Sequence, residues 1–179
     1  SAKEIGAKKI PLGFIPVNPP ADHLVNYLGL NSAEDSCNIL SARLTKKFNL
    51  AKANDSYFLT YGSIPADNTI LAIDGGYTIE ILEKGEIFII NLPIDPGFPT
   101  GAGQRPGQDG LSLYIKTKSA RAFFPLGAKS PHESLINFKT LNIESQKHNL
   151  LLDNSQIIRP PAEISLSQQY ISLIVGKNR

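Results

Sequence analysis

The sequence has no tryptophan, no methionine and a single cysteine, Cys37. One thiol cannot form a disulfide within the chain, and without neighbouring Cys or His residues it does not make a zinc site. Charged residues are only 19% of the chain, with a net charge of +2. That charge is spread out, whereas nucleic-acid recognition needs a basic patch, so no nucleic-acid readout is predicted. No apolar run reaches about 18 residues, so no membrane span is predicted.

The chain is instead rich in turn-forming residues, with 14 glycines and 13 prolines among its 179 residues. This balance favours many short elements over long exposed helices. From about Tyr57 onward, short runs alternate between apolar and polar residues and are separated by turn residues. Such spacing predicts a mainly β fold, an antiparallel β-sandwich of jelly-roll type with a short helical N-terminal segment.

Three regions are predicted along the chain: an N-terminal arm over 1–17, a helical segment over 18–50 packed on the domain, and the β-sandwich over 51–179. In the helical segment, a short helix is expected to end at Gly29. A second helix is expected to begin after Ser32, a capping residue type. The second prediction rests on apolar residues at helical spacing, namely Cys37, Leu40, Leu44 and Phe48.

The arm begins with lysines and ends with the apolar residues Ile10, Phe14 and Ile15. So short a segment cannot bury these side chains by itself. We therefore predict that they are buried against another copy of the chain or a different partner, because an apolar arm can cover an exposed sheet edge. The alternative is that the arm folds back on its own domain.

A β-hairpin is predicted over 77–94. Tyr77, Ile79 and Ile81 alternate with polar residues, which is typical of a half-buried strand. Residues 87–90 are apolar on both faces, which indicates a strand covered on both sides. The intervening turn residues, 83–85, suggest that the two strands pair with each other.

The glycine loop, defined as residues 97–110 (GFPTGAGQRPGQDG), resembles a phosphate-binding loop only in composition. A Walker loop requires Lys-Ser or Lys-Thr after its second glycine, and a dinucleotide-binding loop opens a helix. Here the glycines precede a strand pattern. The sequence therefore predicts a connection between strands that binds no nucleotide. Arg105 and Gln108 in the loop, with Tyr114 beyond it, are the candidate contacts for a ligand or partner.

No catalytic, metal or cofactor site is predicted. Loop carboxylates at Asp74, Asp95 and Asp109 are candidates for calcium, but Asp beside Gly or Pro is also typical of turns. His23, His132 and His148 are scattered, and Ser130 with His132 and Glu133 makes no triad because near neighbours in sequence seldom face one site.

Without an assembled catalytic set, the sequence favours a non-enzymatic structural subunit of a virion, a phage tail or a bacterial surface filament. Homo-oligomers or assembly with other structural subunits, and a location in a virion or at the cell surface, follow from that hypothesis. A glycan-binding sandwich that uses the glycine loop and nearby tyrosines is the main alternative. A small hydrolase is the remaining one.

Overall fold

The structure is a computed structural model that describes residues 10–16, 23–30, 32–103, 110–117 and 132–176. The helices in these residues are α1 (His23–Tyr27) and α2 (Ala33–Ala42). The strands are β1 (Thr45–Ala53), β2 (Ser56–Phe58), β3 (Tyr61–Pro65), β4 (Thr69–Ile73), β5 (Tyr77–Ile81), β6 (Gly85–Ile90), β7 (Leu111–Thr117), β8 (His132–Phe138), β9 (Thr140–Ser145), β10 (Leu150–Leu152), β11 (Gln156–Ile158) and β12 (Ala162–Ile174).

The chain divides into two compact units. Of the described residues, unit 1 comprises those up to Leu50 together with Ile94–Gly97 and those from Ser167 onward. Unit 2 comprises Ala51–Pro93 and Phe98–Leu166. Both helices belong to unit 1, whereas the sandwich core and the candidate site described below belong to unit 2.

The strands form two six-stranded sheets. Sheet A has the order β2-β1-β12-β9-β4-β5, and sheet B has the order β11-β10-β3-β6-β7-β8. Neighbouring strands with a described register run antiparallel in both sheets. The prediction of a mainly β fold built from antiparallel sheets is thereby confirmed.

The core of unit 2 lies between the inner faces of the two sheets. Every second residue of the central strands points into it, as the pleat of a strand requires. Sheet A contributes Leu71, Ile73, Leu141, Ile143 and Ile164, and sheet B contributes Ile64, Ile87, Ile89, Leu113 and Leu152. Burying one such side chain stabilises the fold by about 1.5–3 kcal/mol.

The predicted hairpin over 77–94 is wrong, although most of its burial pattern is right. Ile81, Ile87, Ile89 and Ile90 are buried, and Ile79 is half-buried. However, β5 pairs with β4 in sheet A, whereas β6 pairs with β3 and β7 in sheet B. The chain therefore crosses from one sheet to the other at residues 82–84, and the two strands belong to different sheets.

The second predicted helix extends too far. Helix α2 follows Ser32 as expected, with the Ser36 amide donating to the Ser32 carbonyl at 3.0 Å. It ends at Ala42, where Arg43 takes a positive φ of 51°, and β1 begins at Thr45. Phe48 is thus buried on a strand, and Cys37 is exposed rather than packed on an apolar helix face.

Helix α1 ends near the predicted position. Gly29 takes a positive φ of 77°, and the Leu30 amide donates to the Val25 carbonyl at 3.1 Å. This pattern closes a helix with a glycine in the left-handed region. Among the described residues, neither helix is long and apolar enough to cross a membrane.

The described part of the arm, residues 10–16, lies beside β12 within unit 1. Leu12 donates its amide to the Ser172 carbonyl and accepts from the Ile174 amide, each at 2.8 Å, in a short parallel bridge. Ile10 and Ile15 are exposed, and Phe14 is half-buried. Burial of these side chains against a partner stays a prediction.

Candidate functional site

A cavity of about 570 Å³ opens at one end of sheet B in unit 2. It lies where β3 and β7 end, where β6 begins and just before β10. Gly85 allows this close approach of strands, because a side chain at that position would collide with the carbonyl of Lys116. The lining residues are Ser63, Ile64, Pro65, Asp67, Lys84, Gly85, Glu86, Lys116, Thr117, Asn149 and Leu151.

The cavity carries charges of both signs. Lys84 and Lys116 supply two ammonium groups, and Asp67 and Glu86 supply two carboxylates. Lys116 Nζ also lies 3.6 Å from Glu133 Oε1, an ion pair that is largely exposed and therefore weak. Lysine is a common ligand of phosphate groups. Two lysines at one opening therefore suit an anionic or strongly polar head group.

Asp67 lines the cavity, and its carboxylate contacts the side chains of Lys147 and His148. Its Oδ2 accepts a hydrogen bond from Lys147 Nζ at 2.7 Å. The buried Nε2 of His148 lies 3.4 Å from Oδ1, a long contact. The hydrogen bond from Lys147 is the main reason that the pKa of Asp67 falls to about 2. The carboxylate is therefore ionised at any ordinary pH, which suits it to holding a cationic group.

Asparagine at position 67 should reduce the acid sensitivity of the fold. Because the folded-state pKa of Asp67, about 2, lies below its ordinary 3.8, ionised Asp67 stabilises the native state above about pH 4, and this contribution is lost as the pH falls towards about 2. Asp67→Asn should therefore lose less stability over this range than the wild type, measured by urea unfolding at several pH values. The control is Asp55→Asn, at the β1–β2 turn. If Asp67→Asn lost as much stability over this pH range as the wild type, the stabilising role of ionised Asp67 would be contradicted.

An aromatic cluster covers the outer face of sheet B next to the cavity. The Phe98 ring lies 5.2 Å from that of Tyr61, 5.3 Å from that of Phe88 and 6.4 Å from that of Tyr114. These separations are typical of favourable aromatic pairs. Tyr114, a predicted contact residue, is only 3% exposed. Burial raises the pKa of its hydroxyl, and a hydrogen bond to Glu133 raises it further.

The glycine loop joins β6 to β7, which pair directly, so the prediction of a connection between strands is confirmed. Its first part is fixed to sheet B. Ala102 is buried, and the Gly103 amide donates to Ser112 Oγ at 2.9 Å. Gly103 has a φ of 73° and leaves no room for a side chain beside Pro93. Arg105, Gln108 and Asp109 lie outside the described residues.

The other candidate residues are not gathered into this site. Asp95 accepts from the amide of Gly97 at 2.7 Å, as the turn interpretation predicted. Asp74 accepts hydrogen bonds from the amides of Thr140 and Lys139, and these hydrogen bonds lower its pKa. His23, His132 and Cys37 are exposed, and Ser130 lies outside the described residues. Of the three histidines, only His148 lies near the cavity, through Asp67.

Sequence reasoning missed the residues that define the cavity. Asp67, Lys84 and Lys116 come from the ends of different strands, and only the order of sheet B brings them together. No local spacing marks them. Within the described part of the chain, no three His, Cys, Asp or Glu residues are grouped as metal ligands.

Comparison with solved structures shows the fold. A diacylglycerol kinase from Bacillus anthracis str. Sterne superposes with a TM-score of 0.70 at 17% identity, over 94% of this chain and 68% of the other. An NAD kinase from Archaeoglobus fulgidus, in complex with ATP, superposes with a TM-score of 0.53 at 13% identity, over 83% of this chain and 64% of the other. The chain shares its fold with these kinases. No family model matches the sequence, and no curated protein matches it significantly.

These neighbours overturn the predicted function. The sequence favoured a non-enzymatic subunit of a virion or surface structure, whereas the similar solved structures named above are described as kinases, which are enzymes. The prediction failed because alternating strands and glycine-rich loops are common to many β architectures, and fold class alone does not determine function.

Proposed function

We propose that this protein takes part in phosphoryl transfer from ATP to the hydroxyl group of a lipid of the diacylglycerol class. The observation that carries the proposal is the similarity to a diacylglycerol kinase, which extends over 94% of the chain. In the proposed reaction, the lipid hydroxyl oxygen bonds to the γ-phosphorus as the bond to the bridging oxygen breaks. ADP leaves, and the hydroxyl proton passes to solvent or a nearby base.

The cavity in unit 2 supports this proposal chemically. Phosphoryl transfer depends mainly on positioning and on cationic groups that stabilise the negative charge of the phosphates. Lys84 and Lys116 supply such charge at one opening. Phosphorylation of NAD is the second candidate, supported by the weaker likeness to the ATP-bound NAD kinase.

Four predictions from the sequence are not tested by these observations and stay predictions. They are the oligomeric state of the protein, its location, the boundaries between its regions at residues 17 and 50, and a jelly-roll order of the strands.

An assay of ADP release distinguishes these functions. The purified protein is incubated with Mg²⁺-ATP and either diacylglycerol in mixed micelles, NAD or no acceptor. We expect ADP formation that depends on diacylglycerol. ADP formation only with NAD would favour the second candidate, and no acceptor-dependent ADP would contradict both.

A lysine variant tests whether the cavity is the site. We expect Lys84→Ala to lower kcat/KM about tenfold, equal to about 1.4 kcal/mol of transition-state stabilisation. Lys139→Ala, an exposed lysine at the β8–β9 turn, is the matched control and should retain the wild-type value. Wild-type kcat/KM in both variants would show that the cavity is not the active site, and the fold similarity to the kinases would be unaffected.

A further inference from the structure

Each sheet ends in two outer strands, and each outer strand has one edge that no neighbour in its own sheet covers. The outer strands are β2 and β5 in sheet A and β11 and β8 in sheet B. A free edge is a template for pairing with another strand, and proteins limit this by keeping such strands short or charged. β2 and β11 are only three residues long. The longer edges, β5 and β8, are therefore the two candidates for contact with another chain.

β8 is a poor match for a second copy of itself. The row of β8 that faces the core begins with two polar residues, His132 and Ser134, and continues with Ile136 and Phe138. A second β8, paired in the antiparallel direction about the middle residue Leu135, would place His132 opposite Phe138. It would also place Ser134 opposite Ile136. Polar side chains would then oppose apolar ones along the row, which is an unfavourable pairing.

β5 is complementary to itself on both faces. Its core-facing row is Tyr77, Ile79 and Ile81, because Tyr77 and Ile79 pair with core residues of β4. An antiparallel second copy centred on Ile79 places the two Ile79 side chains opposite each other and Tyr77 opposite Ile81. On the outer face it places Thr78 opposite Glu80, so that no like charges are directly opposed. The alternating pattern therefore selects this register, because a shift by one residue would oppose the apolar row to the polar one.

Two exposed apolar side chains stand at the two ends of β5. Tyr77 is 51% exposed although it lies on the core-facing row, and Leu82, just after the strand, is 78% exposed. Ile79, between them, is only half-buried. When the same register is continued by one residue, Leu82 lies opposite Gly76 of the second copy, and no side chain surrounds Gly76. Pairing of two copies would therefore cover Tyr77 and Leu82 at each end of the contact.

The contact is small. A strand of five residues at about 3.4 Å per residue is about 17 Å long. Even with Tyr77 and Leu82 included, the area covered on each copy is on the order of 300–400 Å², below the roughly 800 Å² of a stable interface. We therefore expect a weak dimer, with a Kd on the order of 100 μM. At the low micromolar concentrations of an unfolding experiment, the protein is then a monomer.

We propose that two copies of this protein associate through β5, in an antiparallel pair with a two-fold axis at Ile79. The pairing joins the two copies of sheet A into one continuous sheet, and the same surface of each copy takes part, as in other two-fold symmetric dimers. The proposal does not depend on the proposed function, and it is tested without ATP or lipid.

Sedimentation velocity at protein concentrations from about 5 to about 500 μM tests the pairing. We expect a monomer at the lowest concentration and a rising share of dimer towards the highest. Thr78→Glu should raise the Kd about tenfold, because it places a carboxylate opposite Glu80 of the second copy at two symmetric positions. Thr78→Lys should lower the Kd about threefold, because it places an ammonium group at the same two positions. Opposite effects of two substitutions at one exposed residue are specific to this register.

The control is Ser155→Glu, which adds the same charge at an exposed position in the turn between β10 and β11. It should keep the wild-type Kd. A circular dichroism melt of each variant excludes unfolding as the cause of a changed Kd. A monomer at every concentration would overturn the proposal. A dimer with the same Kd in Thr78→Glu and Thr78→Lys would also overturn it, because the contact would then lie at another surface.

Discussion

Replacing Ile89 with alanine is expected to lower the free energy of unfolding by about 2–5 kcal/mol. Ile89 is fully buried in the core of unit 2, on the central strand β6. The loss combines the transfer free energy of the removed methyl and methylene groups with a term for the cavity left behind. Gly62 on β3, directly opposite, has no side chain that could fill the space.

Urea or guanidinium unfolding measures this loss. Leu82→Ala is the control, because Leu82 is 78% exposed at the crossing from β5 to β6. A surface change of this kind should stay within about 0.5 kcal/mol of the wild type. A loss well under about 1 kcal/mol in Ile89→Ala would show that β6 is not a core strand.

The second large effect is expected at Asp153, which follows β10. Its carboxylate accepts hydrogen bonds from the Leu59 amide at 2.8 Å, the Thr60 amide at 2.8 Å and Thr60 Oγ1 at 2.6 Å. Thr60 is buried in the segment that carries the chain from β2 in sheet A to β3 in sheet B. Asp153→Ala should cost about 2–4 kcal/mol, because it leaves these donors without an acceptor.

Asparagine at the same position separates two causes. Asp153 has a positive φ of 46°, a conformation that Asn tolerates better than Ala. Asp153→Asn should therefore avoid the backbone strain and keep an acceptor for the Thr60 donors, but lose the charge and the hydrogen bond from the Leu59 amide, because its NH2 group cannot accept. Equal losses in the two variants would mean that the charge and the Leu59 hydrogen bond dominate. Wild-type stability in Asp153→Ala would contradict its role in holding the crossing.

The sequence predicted the strand faces but not the strand partners. Alternation at Ile79 and Ile81 shows that one face of β5 is apolar. In a sandwich this face packs into the core whichever strand lies beside β5, so the alternation does not show whether β5 and β6 pair in one sheet or lie in opposite sheets. The turn residues 83–85 therefore permitted a hairpin, whereas the chain crosses between sheets. Similarly, Phe48 continues the helical spacing from Leu44 but also alternates with Leu50 on β1.

The candidate site was beyond sequence reasoning for a different reason. Lys84 and Lys116 are distant in sequence, and each looks like an ordinary solvated lysine beside a turn or near the end of a strand. They reach one opening only because β6 and β7 are neighbours in sheet B. The aromatic cluster was partly foreseeable, since 87–90 was predicted to be covered on both faces. That the cover is Phe98 depends on how the glycine loop folds back.

The central claim, phosphoryl transfer to a lipid, is tested most directly by following the label from γ-labelled ATP. The purified protein is incubated with the labelled ATP and diacylglycerol micelles, and the lipid is extracted and separated. The account predicts label on a phosphorylated lipid that is absent without protein and reduced in Lys84→Ala. Label that stays in ATP, or is released only as inorganic phosphate, would contradict it.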